Sequence, residues 1–395
     1  MVPSKIFEHC IFPFLSNLPS SHRQFGFKKG VGCCNAISEV RKTIQYFNKR
    51  GNTVSVALVD VKKAFDKVSI WGVLKMLQRN CVNSTIIDVL EHWFSSSSAC
   101  VKWNNTVSKT VSLCSGVRQG GILSPLLFAA YIDVVLTDLE KSSVGCFVNK
   151  RCFNSFLYAD DLILLSISVS DLQSLINSTL DTFRSLDLLI NVNKTVCLRI
   201  GNRCLSPCSN IAASGHYLCW VEEAKYLGVV IKRAKNFVCN WQSARSSFYK
   251  AVNGILSVLG ANPSIPLVLA LVRASCFPIL LFGLEAVSLS HSDLNNLAFA
   301  YNNIFFKLFH VKDISTIEQC QYFCNFWPLR LLHDFRRFSF LSQYFEREGG
   351  CSIGSPDYPD YLELIDIAKK FKFNFSDSKP CLKFKVWNYL ESSLF

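Results

Sequence analysis

The chain has 395 residues, half of them hydrophobic and 18% charged, which is apolar enough for a sizeable core in two or three domains and excludes a disordered tail. The 42 basic against 29 acidic residues leave a formal charge of +13, a balance that points weakly to a polyanionic partner. Glu8 and His9 stand where a secretory leader needs an apolar core, and 18 cysteines are scattered over apolar segments. Reduced thiols and an intracellular setting, nucleus or cytoplasm, are therefore expected.

In chain order, residues 6–18 read as a helix closed by Pro19, and residues 24–30 as a glycine-punctuated basic loop. A helix over 34–49 follows, with Ile37, Val40, Ile44 and Phe47 on one face. Val54–Val59 is a near-continuous apolar strand that Asp60 ends. Helices are expected over 69–79 and 84–96, then short strands at 99–103 and 110–113 around an Asn-Asn-Thr turn. Residues 116–125 form a glycine-rich loop into a helix that runs to about Leu139, with Ser124 as N-cap and Pro125 at the first helical position. A hairpin at 158–161, a helix at 171–186, a turn and strand at 190–200 and a glycine-broken strand at 225–231 come next. Beyond about residue 240 the chain reads mostly helical. The longest apolar stretch, 267–284, is interrupted by Arg273 and Pro278 and closed by Glu285, so no membrane span is expected. The order of elements is that of a split βαβ sheet packed on helices, an α+β fold.

Tyr158-Ala159-Asp160-Asp161 sets two adjacent carboxylates between two apolar segments of strand length. Like charges at an apolar strand end are costly unless something cationic offsets them, and hard oxygen ligands suit Mg²⁺ or Mn²⁺. Taken alone, the pair fits a tight turn with two solvated aspartates equally well. Asp60 lies 100 residues earlier, at the end of a strand that a split βαβ sheet can place beside the hairpin. Three carboxylates on one sheet edge are what two-metal phosphoryl transfer requires. Two C-x3-C pairs also occur, Cys204/Cys208 and Cys320/Cys324. With His216 and Cys219 the first offers four zinc-type ligands, in a spacing that matches no zinc pattern.

These segments, in this order, resemble the reverse transcriptase of a non-LTR (LINE-type) retrotransposon. The resemblance is carried by residues 24–30, Asp60-Val61-Lys62-Lys63-Ala64-Phe65-Asp66, residues 116–125, Tyr158-Ala159-Asp160-Asp161, residues 191–195 and Tyr226-Leu227-Gly228. It implies a right-hand polymerase with partial fingers over 1–50, a ferredoxin-like palm over 51–232 carrying a fingers insertion at about 69–115, and a helical thumb and C-terminal region over 233–395. It implies an RNA-directed DNA polymerase that extends a DNA primer 3′-hydroxyl with dNTPs on an RNA template, using two Mg²⁺ ions or Mn²⁺. By the same resemblance Asp60 and Asp160 are the principal metal ligands, with Asp161 in support. Phe65 matches the steric gate under the sugar, which refuses a 2′-hydroxyl. Arg118, Gln119, Gly120 and Tyr158 fall among the residues that meet nucleotide and template. Lys194 stands near the leaving phosphates as a proton donor, and Tyr226, Leu227 and Gly228 match the grip on the primer end. Lys28 stands where the family usually has Arg; it keeps the charge but loses bidentate phosphate geometry.

The residues by themselves leave plainer readings open. Phe65 suits a core position after a strand, Lys194 a solvated turn, Arg118 an exposed loop and Tyr158 ordinary strand packing. Lys62, Lys63, Lys232, Arg233 and Lys235 read as a general basic face. The match begins just after the family's first fingers motif, with no endonuclease before it and no RNase H constellation after residue 228, so a truncated copy is expected. Two rival functions follow. One is a catalytically inactive, nucleic-acid-binding remnant. The other is a metal-dependent nuclease, which would not need Phe65, the 116–125 loop or the primer grip.

Overall fold

The computed structural model describes residues 2–260, 263–348 and 357–394. The chain forms two compact units: Met1–Ala36, Phe47–Ala224 and Arg233–Phe237 make the first, and Ile37–Tyr46, Lys225–Lys232 and Val238–Phe395 the second.

The first unit is built on a sheet whose centre is the strand Val54–Val59. This strand pairs antiparallel with Asp161–Ser166 on one side and Val196–Ile200 on the other. Ser155–Tyr158 continues the sheet beyond Asp161–Ser166. Counting these four strands in chain order, their spatial order is fourth, first, third, second. Leu123–Ile132 lies between the first and second strands in the chain, and Val169–Ser185 between the third and fourth. That is the expected split βαβ sheet. A short strand, Cys219–Trp220, adds parallel to the fourth. The continuous apolar run of Val54–Val59 follows from its central place, since all but one of its residues are buried. Ala57, Val59, Leu162 and Leu164 share one core with Phe128, Ile132, Leu172, Leu175 and Phe183 from the helices.

Three local expectations change. The N-terminal helix spans Val2–Leu15, with Pro13 inside it, and ends short of Pro19. Ser124 is not an N-cap: the helix Leu123–Ile132 already includes it, and its hydroxyl donates to the Arg118 carbonyl at 2.6 Å. The free N–H groups at that helix start are met from a distant helix, by the buried carboxylate of Glu8, which accepts from Ile122 and, at 3.2 Å, from Leu123. The single helix expected up to Leu139 divides at Asp133 into Leu123–Ile132 and Val134–Lys141. There the Leu136 N–H closes a tighter i→i−3 bond to the Asp133 carbonyl at 3.0 Å.

The second unit is helical beyond residue 240, as expected, from Gln242–Leu259 to Lys379–Leu394. The run Ile265–Ala286 is the one helical stretch among the described residues long and apolar enough to cross a membrane, and half of its apolar window is buried in the protein. It is not one helix: a π turn at Val272–Cys276 interrupts it, and Pro278 follows at the start of Phe277–Leu281. Arg273 turns out of it to donate to the Asn325 carbonyl at 2.6 Å and to cover the Phe326 ring. A buried ionic cluster ties this unit together. Asp360, 2% exposed, accepts from Arg41 and, at 2.9 Å, from Arg337. Arg337 also pairs with Glu363 at 2.8 Å, and Lys42 with Asp357 at 2.8 Å. The segment ending in Glu285, whose role the sequence leaves blank, anchors here as well: its carbonyl accepts from Arg337 at 2.6 Å and its carboxylate from Arg336 at 2.8 and 2.9 Å.

Candidate active site

The second and third strands turn through Ala159 and Asp160, with Tyr158 opposite Asp161. Ala159 takes a positive φ of 55° to close so short a turn. In the neighbouring pair, Val59 lies opposite Leu162. One residue further on, Asp60 and Asp161 therefore leave adjacent strands at the same end of the sheet. The backbone of Asp60 is held on its other side: its N–H donates to Thr195 Oγ1 at 3.2 Å, and its carbonyl accepts from the Asn191 N–H at 2.7 Å. The 191–195 turn is thus bonded to Asp60, and it carries Lys194 exposed on its surface.

The three carboxylates act on one another. Loss of water raises the Asp160 carboxyl above the usual carboxylate range, and repulsion from Asp60 adds to this, while its own N–H works the other way. Asp161 is exposed as a residue, yet loss of water around its carboxyl, then repulsion from Asp160 and Asp60, pushes it up to about 6. Carboxylates are hard oxygen donors and have the chemistry for Mg²⁺ or Mn²⁺. Among the described residues no group of three or more His, Cys, Asp or Glu side chains stands close enough to hold a metal ion, neither Asp60, Asp160 and Asp161 nor Cys204, Cys208, His216 and Cys219.

Beyond Asp60 the chain passes through Lys63 at φ 47° into a single helical turn, Ala64–Lys67. Phe65 stacks on Phe128 at 4.2 Å between ring centres. Its carbonyl accepts from the Val117 N–H at 2.9 Å, and that of Val68 from the Gly116 N–H at 2.8 Å. Gly116, at φ 91°, lies so close that a Cβ there would stand 2.9 Å from the Asp66 carbonyl oxygen. Gln119 then donates to the Asp66 carboxylate at 3.2 Å, and exposed Arg118 donates to Ser4 Oγ at 2.7 Å. Gly120 follows in an open, exposed turn at φ 79°. The 116–119 loop is therefore stitched to the 65–68 turn, beside a cavity of about 860 Å³ lined by Asp66, Trp93, Phe94, Arg118, Gln119 and Leu127.

The 24–30 loop lies against the hairpin. Phe25 donates to the Leu157 carbonyl at 2.8 Å, and Leu157 donates back to that of Arg23 at 3.0 Å. Sequence reasoning passed over Arg23. Its guanidinium is fully buried and donates to Asn154 Oδ1 at 3.1 Å, Ser155 Oγ at 2.8 Å, the Leu136 carbonyl at 2.8 Å and Glu140 at 3.1 Å. Lys28 is half-buried and donates to the Ser21 carbonyl at 2.5 Å. Burial lowers its ammonium, and nearby Asp133 opposes that shift. Tyr158 is half-buried, and its hydroxyl is pushed up to about 12 by its hydrogen bond with Cys33 and then by burial. Tyr226, Leu227 and Gly228 belong to the second unit. Leu227 and Gly228 turn there at φ 43° and 91°, and a Cβ on Gly228 would lie 2.6 Å from the Phe282 ring.

The four-stranded split βαβ sheet thus carries acidic residues at the ends of its first and third strands and in the hairpin turn between its second and third. The family described as reverse transcriptase (RNA-dependent DNA polymerase) matches residues 4–231, more than half of the chain, and the chain belongs to that family. Its relatives put it on the non-LTR retrotransposon side. It is 27% identical over 226 residues to the retrovirus-related Pol polyprotein of type-2 retrotransposable element R2DM from Drosophila melanogaster, covering 55% of this chain and 21% of that one. It is 24% identical over 279 residues to the R2 element polyprotein of Popillia japonica, covering 68% and 38%. It is also 24% identical over 297 residues to a probable RNA-directed DNA polymerase from transposon BS of Drosophila melanogaster, covering 71% and 32%. The chain thus spans well under half the length of these relatives. Among solved structures, apo telomerase from Candida tropicalis aligns with a TM-score of 0.48 at 13% identity, over 97% of this chain and 59% of that one.

Proposed function

We propose that this chain is the polymerase core of an RNA-directed DNA polymerase, extending a DNA primer 3′-hydroxyl with dNTPs on an RNA template. The observation that carries the reading is the geometry of one sheet end: Val59 pairs with Leu162 and Tyr158 with Asp161, so Asp60, Asp160 and Asp161 stand where adjacent strands end and in the turn beside them. Such a grouping is unfavourable in a merely structural site and is characteristic of functional ones. When bound, two Mg²⁺ or Mn²⁺ ions supply the charge that makes the primer hydroxyl a nucleophile and steadies the departing pyrophosphate. Asp60 and Asp160 hold those ions and Asp161 assists. Phe65 meets the sugar and refuses a 2′-hydroxyl. Gln119, kept on Asp66, and Gly120 line the nascent pair with Arg118 and Tyr158. Lys194 delivers a proton to the leaving pyrophosphate. Lys28, already engaged with Ser21, supplies charge near the triphosphate. Tyr226, Leu227 and Gly228 grip the primer end. In this reading residues 1–50 are fingers, 51–232 palm and 233–395 thumb and helical tail.

Primer extension on poly(rA)/oligo(dT) with dTTP and Mg²⁺ tests the proposal, with Asp160→Ala as control. Extension by the unaltered chain and none by the variant is expected. Hybrid binding without extension would instead make the chain a nucleic-acid-binding remnant, and cleavage without dNTP would make it a nuclease.

A further inference from the structure

We propose that Phe27 is a specificity-determining residue: its ring braces Phe65 and so sets the width of the sugar pocket that refuses a 2′-hydroxyl. The inference rests on the polymerase reading and on Phe65 as its gate. Three observations on the same segment lead to it.

The first is backbone strain. Phe27 sits at φ 59°, in the left-handed region, where a large L side chain costs about 1–2 kcal/mol. Glycine or asparagine would sit there at less cost. The second is exposure. Arg23, Gln24 and Phe25 are only 1%, 1% and 8% exposed, whereas Phe27 is 48% exposed. Its ring is therefore not placed to fill the core. The third is its contact. The Phe27 and Phe65 rings make a T-shaped contact, 6.1 Å between centres at 85°, while Phe128 stacks on the Phe65 face at 4.2 Å and 14°. Phe65 is thus held by two rings at once. A gate of this kind discriminates only if it does not yield, since a ring free to tilt makes room for one more oxygen.

Phe27 is itself referenced to the catalytic hairpin. Its neighbour Gly26 lies against the turn so closely that a Cβ there would stand 2.4 Å from the Ala159 nitrogen. The Phe25–Leu157 and Leu157–Arg23 backbone bonds and the buried Arg23 guanidinium fix the segment from the other end. One short loop therefore sets both the carboxylate turn, through Gly26, and the gate, through Phe27.

The test is single-nucleotide extension on an RNA-templated DNA primer, with kcat/KM measured for each dNTP and its ribonucleotide. Phe27→Gly removes the ring and the strain, and is expected to lower the dNTP-over-rNTP ratio about tenfold. Phe27→Leu, apolar but shorter in reach, should lower it in the same direction and serves if the glycine variant does not fold. Phe27→Tyr should keep the ratio of the unaltered chain. In a Phe65→Ala background, Phe27→Gly should change the ratio no further, because the two act as one unit. An unchanged ratio in both Phe27→Gly and Phe27→Leu overturns the inference, as does an equal drop with and without Phe65. Extension with an unaltered ratio leaves the polymerase reading standing; no extension by the unaltered chain overturns both together.

Discussion

Aspartate is used in opposite ways in the two units. At the sheet end, loss of water and then repulsion from Asp160 and Asp60 push the Asp161 carboxyl up to about 6. In the helical unit burial also works to raise Asp360, but Arg41, then Arg337 and Lys42, outweigh it and hold the carboxyl down at about 2. The first arrangement is charge waiting for a partner. The second is charge already neutralised and sealed from water. Stability is spent at the one place and secured at the other.

Substitutions at the two sites should therefore separate activity from stability. Asp160→Asn is expected to cut primer extension about a thousandfold, the equivalent of losing roughly 4 kcal/mol at the reacting centre. Its thermal midpoint should hold or rise, because a repulsion has been removed. A clear drop in midpoint, or activity within tenfold of the unaltered chain, would break the contrast. Asp360→Asn should do the reverse. It leaves Arg41 and Arg337 buried against a neutral amide, a loss of about 3–5 kcal/mol in urea unfolding. An unfolding midpoint equal to that of the unaltered chain would show the cluster to be incidental.

Acid sharpens the comparison further. The folded value of Asp360, about 2, lies below the ordinary carboxylate value of about 3.9. Its contribution is present above about pH 4 and is lost as pH falls through that window towards 2. The folded value of Asp161 is raised, so its sign is opposite: it favours the folded state at low pH and loses that contribution as pH rises from about 4 to 6. Urea midpoints at pH 3, 5 and 7 should fall most at pH 3, and Asp360→Asn should flatten that fall. Mg²⁺ affinity of the unaltered chain should climb with pH through about 6 as Asp161 ionises; an affinity unchanged from pH 5 to 7 would count against Asp161. The smallest effect expected is that of Glu8→Ala, which uncaps Leu123–Ile132 for about 1 kcal/mol in thermal unfolding. A Ser124→Ala variant should cost less, since Ser124 is not the cap.

What could be read from the residues was what repeats or stays local. The apolar run Val54–Val59 gave its own strand and the Asp60 that ends it. The Tyr158 to Asp161 stretch gave the hairpin, and its partnership with Asp60 followed once the split sheet was assumed. Ser124 misled because a Ser-Pro pair is a local cap signal, while the real cap is a carboxylate more than 110 residues away. Arg23, buried among Asn154, Ser155 and Leu136, and Arg41, paired with Asp360 across 319 positions, left no periodic trace. Nor does a sequence tell which glycine is pressed against which backbone, so Gly26 could be seen as a turn residue but not as the seat of Ala159.

The central strand also sets a timetable for synthesis. Val54–Val59 leaves the ribosome first, but its two partners are encoded roughly 110 and 140 residues later. At translation rates of about 5–20 residues per second, both of its edges stay unpaired for about 5–30 s. An apolar strand open on both sides for that long is a template for wrong pairing. The sheet closes only once Val196–Ile200 has been made, so its correct assembly requires that the first strand stay unpaired, or be shielded, until then.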